Sequence, residues 1–458
     1  MNVLNRNINN IFFIFALSHL IIWTLIPSLT NKNLPLDTIE ALAWGSNLDW
    51  GFNKHPPLSA FAVEVVYRIF GNQDWAYYIL SQIFVVFSFI VIFKLSLHLF
   101  NNPNYALLSI FLLEGIFFYN FTTPEFNVNI AQLPFWALTI YFSYRCIKHN
   151  KITDFILLGL FIGLGILSKY LFFYLVAGVK LLFLYFIFKK KKLNLFYLLI
   201  PGLITLAVIM PHLIWLYENN FTTIRYGFNR TGGIGSLSDH IFLPIFFIFK
   251  QIGLLLPILI MSYFLIKKMK KIKINFSENN VFVFFMFLVP IILIVLTSIL
   301  FGVKIRTMWM TPFYLLAGVF IVEILKKHLY IKSLNKFYVS FLFFFFLSPI
   351  LYLLVSLNND HKRTDYPGKE IARLVQNKWD NNFTNEIKIV IGDEWYAGNL
   401  SYHLYSRPVW INDFKEKSSS VANDEGVIYT GNPKILKKIC PGVFGTIRPV
   451  GYCMIGRK

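Results

Sequence analysis

Apolar stretches recur along most of this chain, and they constrain its fold more than any other feature. A helix needs about 20 largely apolar residues to cross a bilayer. Many of the stretches approach that length, and only 14% of the residues are charged, against about 25% in soluble domains. The pattern predicts a polytopic α-helical membrane protein with about eleven spans. These are expected at residues 11–29, 76–100, 105–119, 128–145, 155–168, 170–188, 195–217, 241–266, 281–301, 309–325 and 337–357.

Lysine and arginine cluster in alternate connections between the apolar stretches. The formal net charge is +20, but this distribution argues against a nucleic-acid partner. Counting spans puts the basic connections on one side, which is cytoplasmic because positive charge is retained there. The N-terminus, with Arg6, lies on that side, and the first stretch is expected to remain as a helix because it is too long for a signal-peptide core. The basic connections are residues 145–151, 189–192, 267–273 and 326–332.

The opposite, extracytoplasmic side receives the polar loops, so we expect the chemistry there. These loops are poor in clustered lysine but rich in single polar residues, aromatics and glycines. The longest is the first loop, residues 30–75. The others are residues 120–127, the corner at 168–170, 218–240, 302–307 and the tail from Asn358.

The composition of the tail is that of a soluble domain. We therefore expect a transmembrane catalytic domain, residues 1–357, followed by a small extracytoplasmic α/β domain, residues 358–458. The tail shows no phosphate-binding loop and no metal-ligand pattern. Its predicted helices are 366–379 and 394–404, and its predicted strands are 387–391, 408–411 and 426–430.

The cysteines are too few for a disulfide framework. Cys440 and Cys453 lie together near the C-terminus. They can pair if that region lies outside the cytoplasm, and two free thiols are the alternative. The sequence leaves both states open.

The first loop carries acids, bases and aromatics in a short space. Its segment Asp37-Thr38-Ile39-Glu40 resembles a capping box, which predicts a short helix over 38–44 lying along the membrane interface. Trp44 and Trp50 would then lie at headgroup depth. For Asp37, a helix cap and a catalytic carboxylate are both open on the local sequence.

Other ionisable residues are predicted at the outer ends of spans. Glu125 follows Thr123-Pro124, and His55 precedes a Pro-Pro pair that restricts the backbone. Lys169 either extends its ammonium to the interface or contacts a phosphate. Ionisable residues on one membrane face favour a site for an anionic, lipid-linked ligand. The basic residues expected on the outward side are Lys54, His55, Lys169, Arg225, Arg230, Lys304 and Arg306.

The order of these motifs resembles bacterial membrane glycosyltransferases. They belong to the superfamily of protein mannosyltransferases and lipid A aminoarabinose transferases, which have a C-type glycosyltransferase fold. The resemblance runs through nearly the whole chain. The motifs are Asp37 with Leu48-Asp49-Trp50-Gly51-Phe52, His55-Pro56-Pro57-Leu58, Thr123-Pro124-Glu125, Leu167-Ser168-Lys169-Tyr170, Pro211-His212-Leu213-Ile214-Trp215 with Asn219-Asn220-Phe221, and the tail segment Gly392 to Tyr402.

The resemblance implies a polyprenyl-phosphate sugar as the donor. The family's first-loop catalytic aspartate falls on Asp37, and its second acidic position falls on Glu125, where relatives often carry aspartate. The phosphate-contacting position before Pro-Pro falls on His55, where aminoarabinose transferases carry lysine. A polyprenyl phosphate leaves readily if cations neutralise it, so no metal or other cofactor is expected. The candidate donor-phosphate contacts are Lys54, His55, Lys169, Arg225 and Arg230.

The expected reaction is an inverting transfer at the periplasmic face of a bacterial inner membrane. An undecaprenyl-phosphate carrier would donate a sugar, with amino sugars among the candidates, to lipid A or another part of lipopolysaccharide. A protein O-glycosyltransferase is the first alternative. A polytopic lipid or sugar transporter is the second alternative. Against it, the sequence shows no internal repeat and no charged residue deep in paired broken helices, features that transporters often have.

Overall fold

The computed structural model describes residues 3–190, 193, 195–232, 235–266, 277–329, 334–359, 361–412, 426–447 and 449–458. The chain is mainly helical, with a small sheet near its C-terminus. The predicted basic connection at 267–273 lies outside the described residues, and those at 189–192 and 326–332 lie partly outside them.

Helices from α1 to α16 form the part that contains the apolar stretches. Short 3-10 turns interrupt them at 112–115, 117–119, 170–172, 195–198, 307–310 and 312–314. The helices are α1 (Val3–Thr30), α2 (Leu36–Gly45), α3 (Leu58–Phe70), α4 (Asp74–Leu99), α5 (Pro103–Phe111), α6 (Val128–Ala131), α7 (Leu133–His149), α8 (Ile152–Ser168), α9 (Phe173–Phe188), α10 (Leu199–Glu218), α11 (Thr222–Arg230), α12 (Asp239–Leu254), α13 (Leu256–Tyr263), α14 (Glu278–Phe301), α15 (Ala317–Leu325) and α16 (Asn335–Asn358).

Within the described residues, six helices are long and apolar enough to cross a membrane, or up to eight if two bent pairs each count as one span. A membrane-spanning, mostly helical architecture is therefore confirmed. The count of about eleven spans stays a prediction. The six are Asn7–Thr30, Asp74–Leu99, Tyr170–Phe188, Phe196–Glu218, Glu278–Phe301 and Asn335–Asn358.

Several predicted spans are interrupted in the structure. The predicted span at 105–119 becomes α5 followed by 3-10 turns. The one at 241–266 becomes α12 and α13, which are bent by 49°. Pro257 lies in the first turn of α13, where its missing N–H is tolerated.

A buried ionisable pair lies at one of these breaks. Glu114 lies in the turn after α5, and its Oε1 atom forms a hydrogen bond of 2.7 Å with Nδ1 of His19 in α1. Both side chains are almost fully buried. Neither residue belongs to one of the two bent helix pairs, so the expectation of no charged residue deep in paired broken helices stays a prediction. Periodicity missed the pair because each residue is flanked by long apolar runs.

Glycines set the distance between α8 and α10. A Cβ atom on Gly159 would lie 2.7 Å from backbone atoms of Pro201, and one on Gly163 would lie 2.7 Å from the side chain of Val208. Small residues let two apolar helices approach closely in a membrane. The close packing fixes the C-terminal end of α8, and the next residue is Lys169.

The start of α2 differs from its prediction. The helix begins at Leu36, and Pro35 occupies the cap position without a side-chain hydrogen bond. Asp37 lies inside the first turn, so the capping-box interpretation is wrong. The physical reason is that Pro35 already has the backbone angle a helix start requires. The carboxylate of Asp37 is thereby free to face elsewhere.

The buried side of α2 faces protein rather than the membrane interface. Trp44 is only 2% exposed and stacks on Phe52 with ring centroids 5.5 Å apart. Gly398 of the tail lies against Ala43 and Ile39. The predicted headgroup position is therefore wrong for Trp44, because the tail covers the apolar face of α2. Trp50 is 43% exposed.

The tail forms an α/β unit around a mixed sheet. Strands β1 and β2 pair in parallel, β1 and β3 pair in parallel, and β5 pairs antiparallel with both β3 and β4. The strand order is β2-β1-β3-β5-β4. A disulfide joins Cys440 to Cys453. The elements are α17 (Gly368–Asp380), β1 (Ile389–Ile391), α18 (Tyr396–His403), β2 (Val409–Ile411), β3 (Val427–Gly431), α19 (Pro433–Ile439), β4 (Val443–Ile447) and β5 (Val450–Ile455).

Sequence predicted α17, α18 and β1 to β3 to within a few residues but not the final helix and hairpin. Most of β5 is buried, so its residues do not alternate between apolar and polar. Without that alternation the sequence is as compatible with a helix as with a strand. The predicted domain boundary at 357–358 stays a prediction. The tail nevertheless contacts the first loop through a continuous set of side chains.

Candidate active site

A large cavity opens between the first loop, the ends of several helices and the segment that leads into the tail. Its volume is about 1090 Å³, at the upper end of the usual range for ligand sites. Acids and bases converge on it from seven separate segments of the chain. These lining residues are Asp37, Glu40, Lys54, His55, Glu125, Lys169, Arg230, Arg306, Lys362 and Arg363.

Two acids predicted from the motifs meet in this cavity. The backbone N–H of Asp37, in the first turn of α2, donates to Oε1 of Glu125 at 3.1 Å. Glu125 lies on the irregular segment before α6, where Thr123 and Asn120 fix the turn by hydrogen bonds. The two carboxyls are therefore neighbours although 88 residues separate them.

The two carboxyls differ in their charge environment. Burial raises the pKa of both. Lys169, Lys54, Arg363 and Arg230 all oppose the rise at Asp37. At Glu125 the charge of Asp37 adds to the rise, and among the cations only Arg363 opposes it. Burial and the charge of Asp37 raise the pKa of Glu125 to about 8, so Glu125 is the carboxyl of the pair that favours its protonated form, whereas the four cations favour the charged form of Asp37.

Lys169 is buried in the cavity wall. Its ammonium donates to Oδ1 of Asn129 at 2.5 Å and lies 5.3 Å from the ring centroid of Trp309. The side chain is 7% exposed, so the interpretation that it extends to the interface is wrong. Burial, opposed by the charge of Asp37 and assisted by that of Arg306, lowers the pKa of Lys169 to about 7.

Lys54 is held between two acids. Its ammonium lies 2.9 Å from Oε1 of Glu40 and 3.3 Å from Oε1 of Glu394 in the tail. Burial acts to lower the pKa of Lys54, but the two carboxylates outweigh it and raise the pKa. Lys54 stays charged, yet its charge is already neutralised in this state.

His55 contributes no charge at neutral pH. Its ring meets Trp44 and Tyr226 edge to face, with centroids 5.9 and 6.3 Å away. Burial, together with the charges of Lys169 and Lys54, lowers the pKa of His55 to about 3. A neutral imidazole offers a hydrogen bond to a phosphate, not an ion pair.

The predicted arginines separate into two groups. Arg230, at the end of α11, lines the cavity, and its guanidinium lies 6.0 Å from the ring centroid of Tyr226. Arg306 lines it from the opposite connection. Arg225 lies on an exposed face of α11 and Lys304 is also exposed; neither is a lining residue of this cavity.

Sequence reasoning did not single out several residues that line the site. Asn129 orients Lys169, and the segment Lys362-Arg363-Thr364 closes one side of the cavity. One signal is present in the sequence, since His361-Lys362-Arg363 is a basic run just after the last apolar stretch.

Other motif residues fix the first loop rather than line the reacting centre. His212 of α10 bridges the hydroxyl of Tyr170 and the carbonyl of Trp50, both at 2.6 Å. A Cβ atom on Gly51 would lie 2.3 Å from the ring of Trp215. Glycine is required there because the indole covers the backbone. In the part of the chain that the structure describes, no group of three or more His, Cys, Asp or Glu is placed to hold a metal ion.

Comparisons with known proteins place these features in a family context. Residues 54–215 match the family described as dolichyl-phosphate-mannose-protein mannosyltransferase. The lipid A galacturonosyltransferase RgtD of Rhizobium johnstonii is 22% identical over 199 residues, which are 42% of this chain and 40% of that protein. The lipopolysaccharide core galacturonosyltransferase RgtB of the same organism is 24% identical over 230 residues, 48% of this chain and 45% of that protein. The matches span less than half the length of these relatives.

The fold also resembles a solved structure along almost its whole length. ArnT from Cupriavidus metallidurans, in the crystal structure bound to undecaprenyl phosphate, matches with a TM-score of 0.63 and 12% identity. The match covers 96% of this chain and 97% of that chain. The apo structure of that protein gives a TM-score of 0.61. The family match, the relatives and the fold together confirm the membrane glycosyltransferase superfamily that the motifs indicated.

Proposed function

We propose that this protein is an inverting glycosyltransferase that moves a sugar from a polyprenyl-phosphate carrier to lipid A or another part of lipopolysaccharide. One observation carries the proposal. Asp37 and Glu125 meet through a backbone hydrogen bond of 3.1 Å in a cavity whose other walls carry the cations Lys169, Arg230 and Arg306. That arrangement suits a base for an acceptor hydroxyl beside a site for an anionic leaving group.

The leaving group needs charge neutralisation more than protonation. When the bond from the sugar C1 to the phosphate oxygen breaks, the polyprenyl phosphate gains a negative charge. Lys169, Arg230 and Arg306 line the same cavity and are suited to receive it. His55 adds a neutral hydrogen bond, and Lys54 adds a charge if the phosphate displaces one of its two carboxylate partners.

The acceptor needs a base on the other side of the sugar carbon. Asp37 accepts the proton of an acceptor hydroxyl while that oxygen attacks C1. A single displacement of this kind inverts the anomeric centre. Glu125 accepts a hydrogen bond from the backbone N–H of Asp37, which fixes the first turn of α2 and with it the position of Asp37. If the acceptor is a phosphate, Asp37 orients it instead of removing a proton.

The relatives support a lipid acceptor and a lipid-linked donor. The two curated relatives are named for galacturonosyl transfer to lipid A and to the lipopolysaccharide core. The structural neighbour holds undecaprenyl phosphate. The sequence alone left the sugar open and included amino sugars; a cavity lined by six cationic side chains and three acids disfavours a cationic sugar.

We place the reaction at the periplasmic face of the inner membrane. The Cys440–Cys453 disulfide in the tail supports this, because such bonds persist outside the reducing cytoplasm. The N-terminus would then be cytoplasmic. Reporter fusions after Asn358 should show extracytoplasmic activity and fusions after Lys151 should not. A cytoplasmic signal at Asn358 would contradict this orientation.

The decisive test of function uses purified protein, undecaprenyl-phosphate sugars and lipid A. We expect lipid A to gain the mass of one sugar residue, and the Asp37→Asn variant to produce none. A protein acceptor is the alternative outcome, favoured by the family description over residues 54–215. Glycosylation of a periplasmic protein with an unchanged lipid A mass would move the assignment there.

A further inference from the structure

The geometry assigns a second anion subsite to Arg363, separate from the phosphate site of the donor. We propose that it binds an oxyanion on the reacting sugar or on the acceptor, a carboxylate or a phosphate. This inference rests on the proposed function. It adds a substrate class: one of the two reacting molecules carries an anionic group besides the phosphate of the carrier.

The segment that carries Arg363 is fixed on the first loop. The carbonyl of Thr364 accepts hydrogen bonds from the backbone N–H groups of Lys32 and Asn33, both at 2.9 Å. The residues 363–365 form a 3-10 turn that Asp365 closes by accepting from the N–H of Lys362 at 3.1 Å. The backbone of Arg363 is thereby held at the cavity on both sides.

The two cations of this segment have different roles. The ammonium of Lys362 donates to the carbonyl of Ser356 at 2.7 Å and lies 3.7 Å from Asp365. It secures the end of α16. Among the described residues, the guanidinium of Arg363 has no hydrogen-bond acceptor and no carboxylate within 4.0 Å, and it lines the cavity. It is the cation of this segment that is available to a ligand.

Arg363 reaches the cavity from a different part of the fold than the other cations. It lies in the 3-10 turn between α16 and α17, whereas Lys169 follows α8 and Arg230 ends α11. Its charge acts on both Asp37 and Glu125. Arg363 therefore offers the two carboxyls a positive group that is built on its own segment.

The charge of the substrates supports a second anion. The phosphate of a polyprenyl-phosphate sugar has one ionised oxygen, and Lys169, Arg230 and Arg306 already exceed it. A guanidinium binds carboxylate and phosphate groups through two parallel hydrogen bonds. Two sources fit this chemistry: the carboxylate of a uronic acid on the donor and a phosphate of the acceptor. The names of both curated relatives specify a galacturonosyl group.

The test compares Arg363→Gln with Arg373→Gln in the full-length protein. Arg373 is an exposed arginine of α17 outside the cavity. The substrates are undecaprenyl-phosphate galacturonate or undecaprenyl-phosphate galactose as donors, and lipid A with or without its phosphates as acceptors. We expect R363Q to raise KM about tenfold for the one anionic substrate it recognises, since a charge-assisted hydrogen bond is lost. R373Q should match the wild type.

The substrate pairs separate the two sources. A loss seen with the uronosyl donor and absent with the galactosyl donor identifies the sugar carboxylate. A loss seen with phosphorylated lipid A and absent with the dephosphorylated form identifies the acceptor. Equal KM values for R363Q and wild type on all substrates, or an equal loss on all of them, would overturn the inference. A wild-type protein that transfers no sugar would instead overturn the proposed function.

Discussion

Lys169 should make donor binding depend on pH. Its ammonium is buried against Asn129 and Trp309, with Asp37 and Arg306 as the charged groups that act on it. Burial lowers the pKa of Lys169 to about 7 in the empty site. Lys169 is charged below that pH and neutral above it. A bound phosphate favours the charged form, so affinity for the donor should fall as pH rises through the pKa.

The size of the effect follows from linkage to one proton. Well above the pKa, affinity falls tenfold for each pH unit. Between about pH 6 and about pH 8, the dissociation constant of the wild type should therefore rise about tenfold. The donor is a phosphodiester, which stays singly ionised over this range. His55 also stays neutral, since its pKa is about 3.

The assay is equilibrium binding of an undecaprenyl-phosphate sugar to the purified protein without acceptor. Lys169→Met should bind about 10- to 100-fold more weakly than the wild type at about pH 6, because a buried charge-assisted contact is lost. Its affinity should also lose the tenfold change with pH. Lys434→Met, which alters an exposed lysine of α19, is the control. A wild type with flat affinity, or a K169M variant that keeps the slope, would refute the reasoning.

Three further changes test the remaining site and its support. Asp37→Asn should lower kcat about 10²- to 10⁴-fold through loss of the general base, with an unchanged thermal unfolding temperature because Asp37 caps nothing; near-normal turnover would contradict its catalytic role. Glu125→Gln should keep kcat within about tenfold, since a neutral amide replaces a neutral acid; a loss as large as that of D37N would show that the charge of Glu125 is needed. Gly51→Ala should lower the free energy of unfolding by about 1–3 kcal/mol, because the added methyl group overpacks Trp215. Gly202→Ala, at a position with open space around it, should not, and thermal unfolding measures both.

The sequence predicted which residues line the site better than it predicted whether each one is charged, paired or buried. Six of the seven candidate residues line one cavity, because the motifs lie in loops and at helix ends that converge there. Those six are Asp37, Glu125, Lys54, His55, Lys169 and Arg230. Arg225 lies outside, since the five positions between it and Arg230 on α11 turn its direction by about 140°. Their roles in donor binding and catalysis stay predictions.

Ion pairing and burial decide whether the charge of a site residue is available to a ligand, and neither can be obtained from local sequence. Lys54 appears as a free cation in the motif, but folding brings Glu394 to it from 340 positions away. Lys169 appears as a lysine at a span end, but the 3-10 turns at 307–310 bring Trp309 over its ammonium. Hydropathy locates the apolar stretches and does not show where a helix breaks. The interrupted spans were therefore predicted as continuous.

The tail contacts the first loop at residues beside the candidate site. Glu394, in the motif that follows β1, bonds both Lys54 and Asn53. Arg407 donates to Glu64 of α3 and to the carbonyl of Leu42 of α2, and its backbone has a positive φ of 49°. Such a backbone conformation persists only where surrounding contacts determine it. The two structural parts therefore share one polar interface, and one wall of the cavity depends on it. If a donor phosphate binds Lys54 as proposed, it competes with the carboxylate of Glu394 from the tail, and the position of the tail would then set how much positive charge the first loop offers.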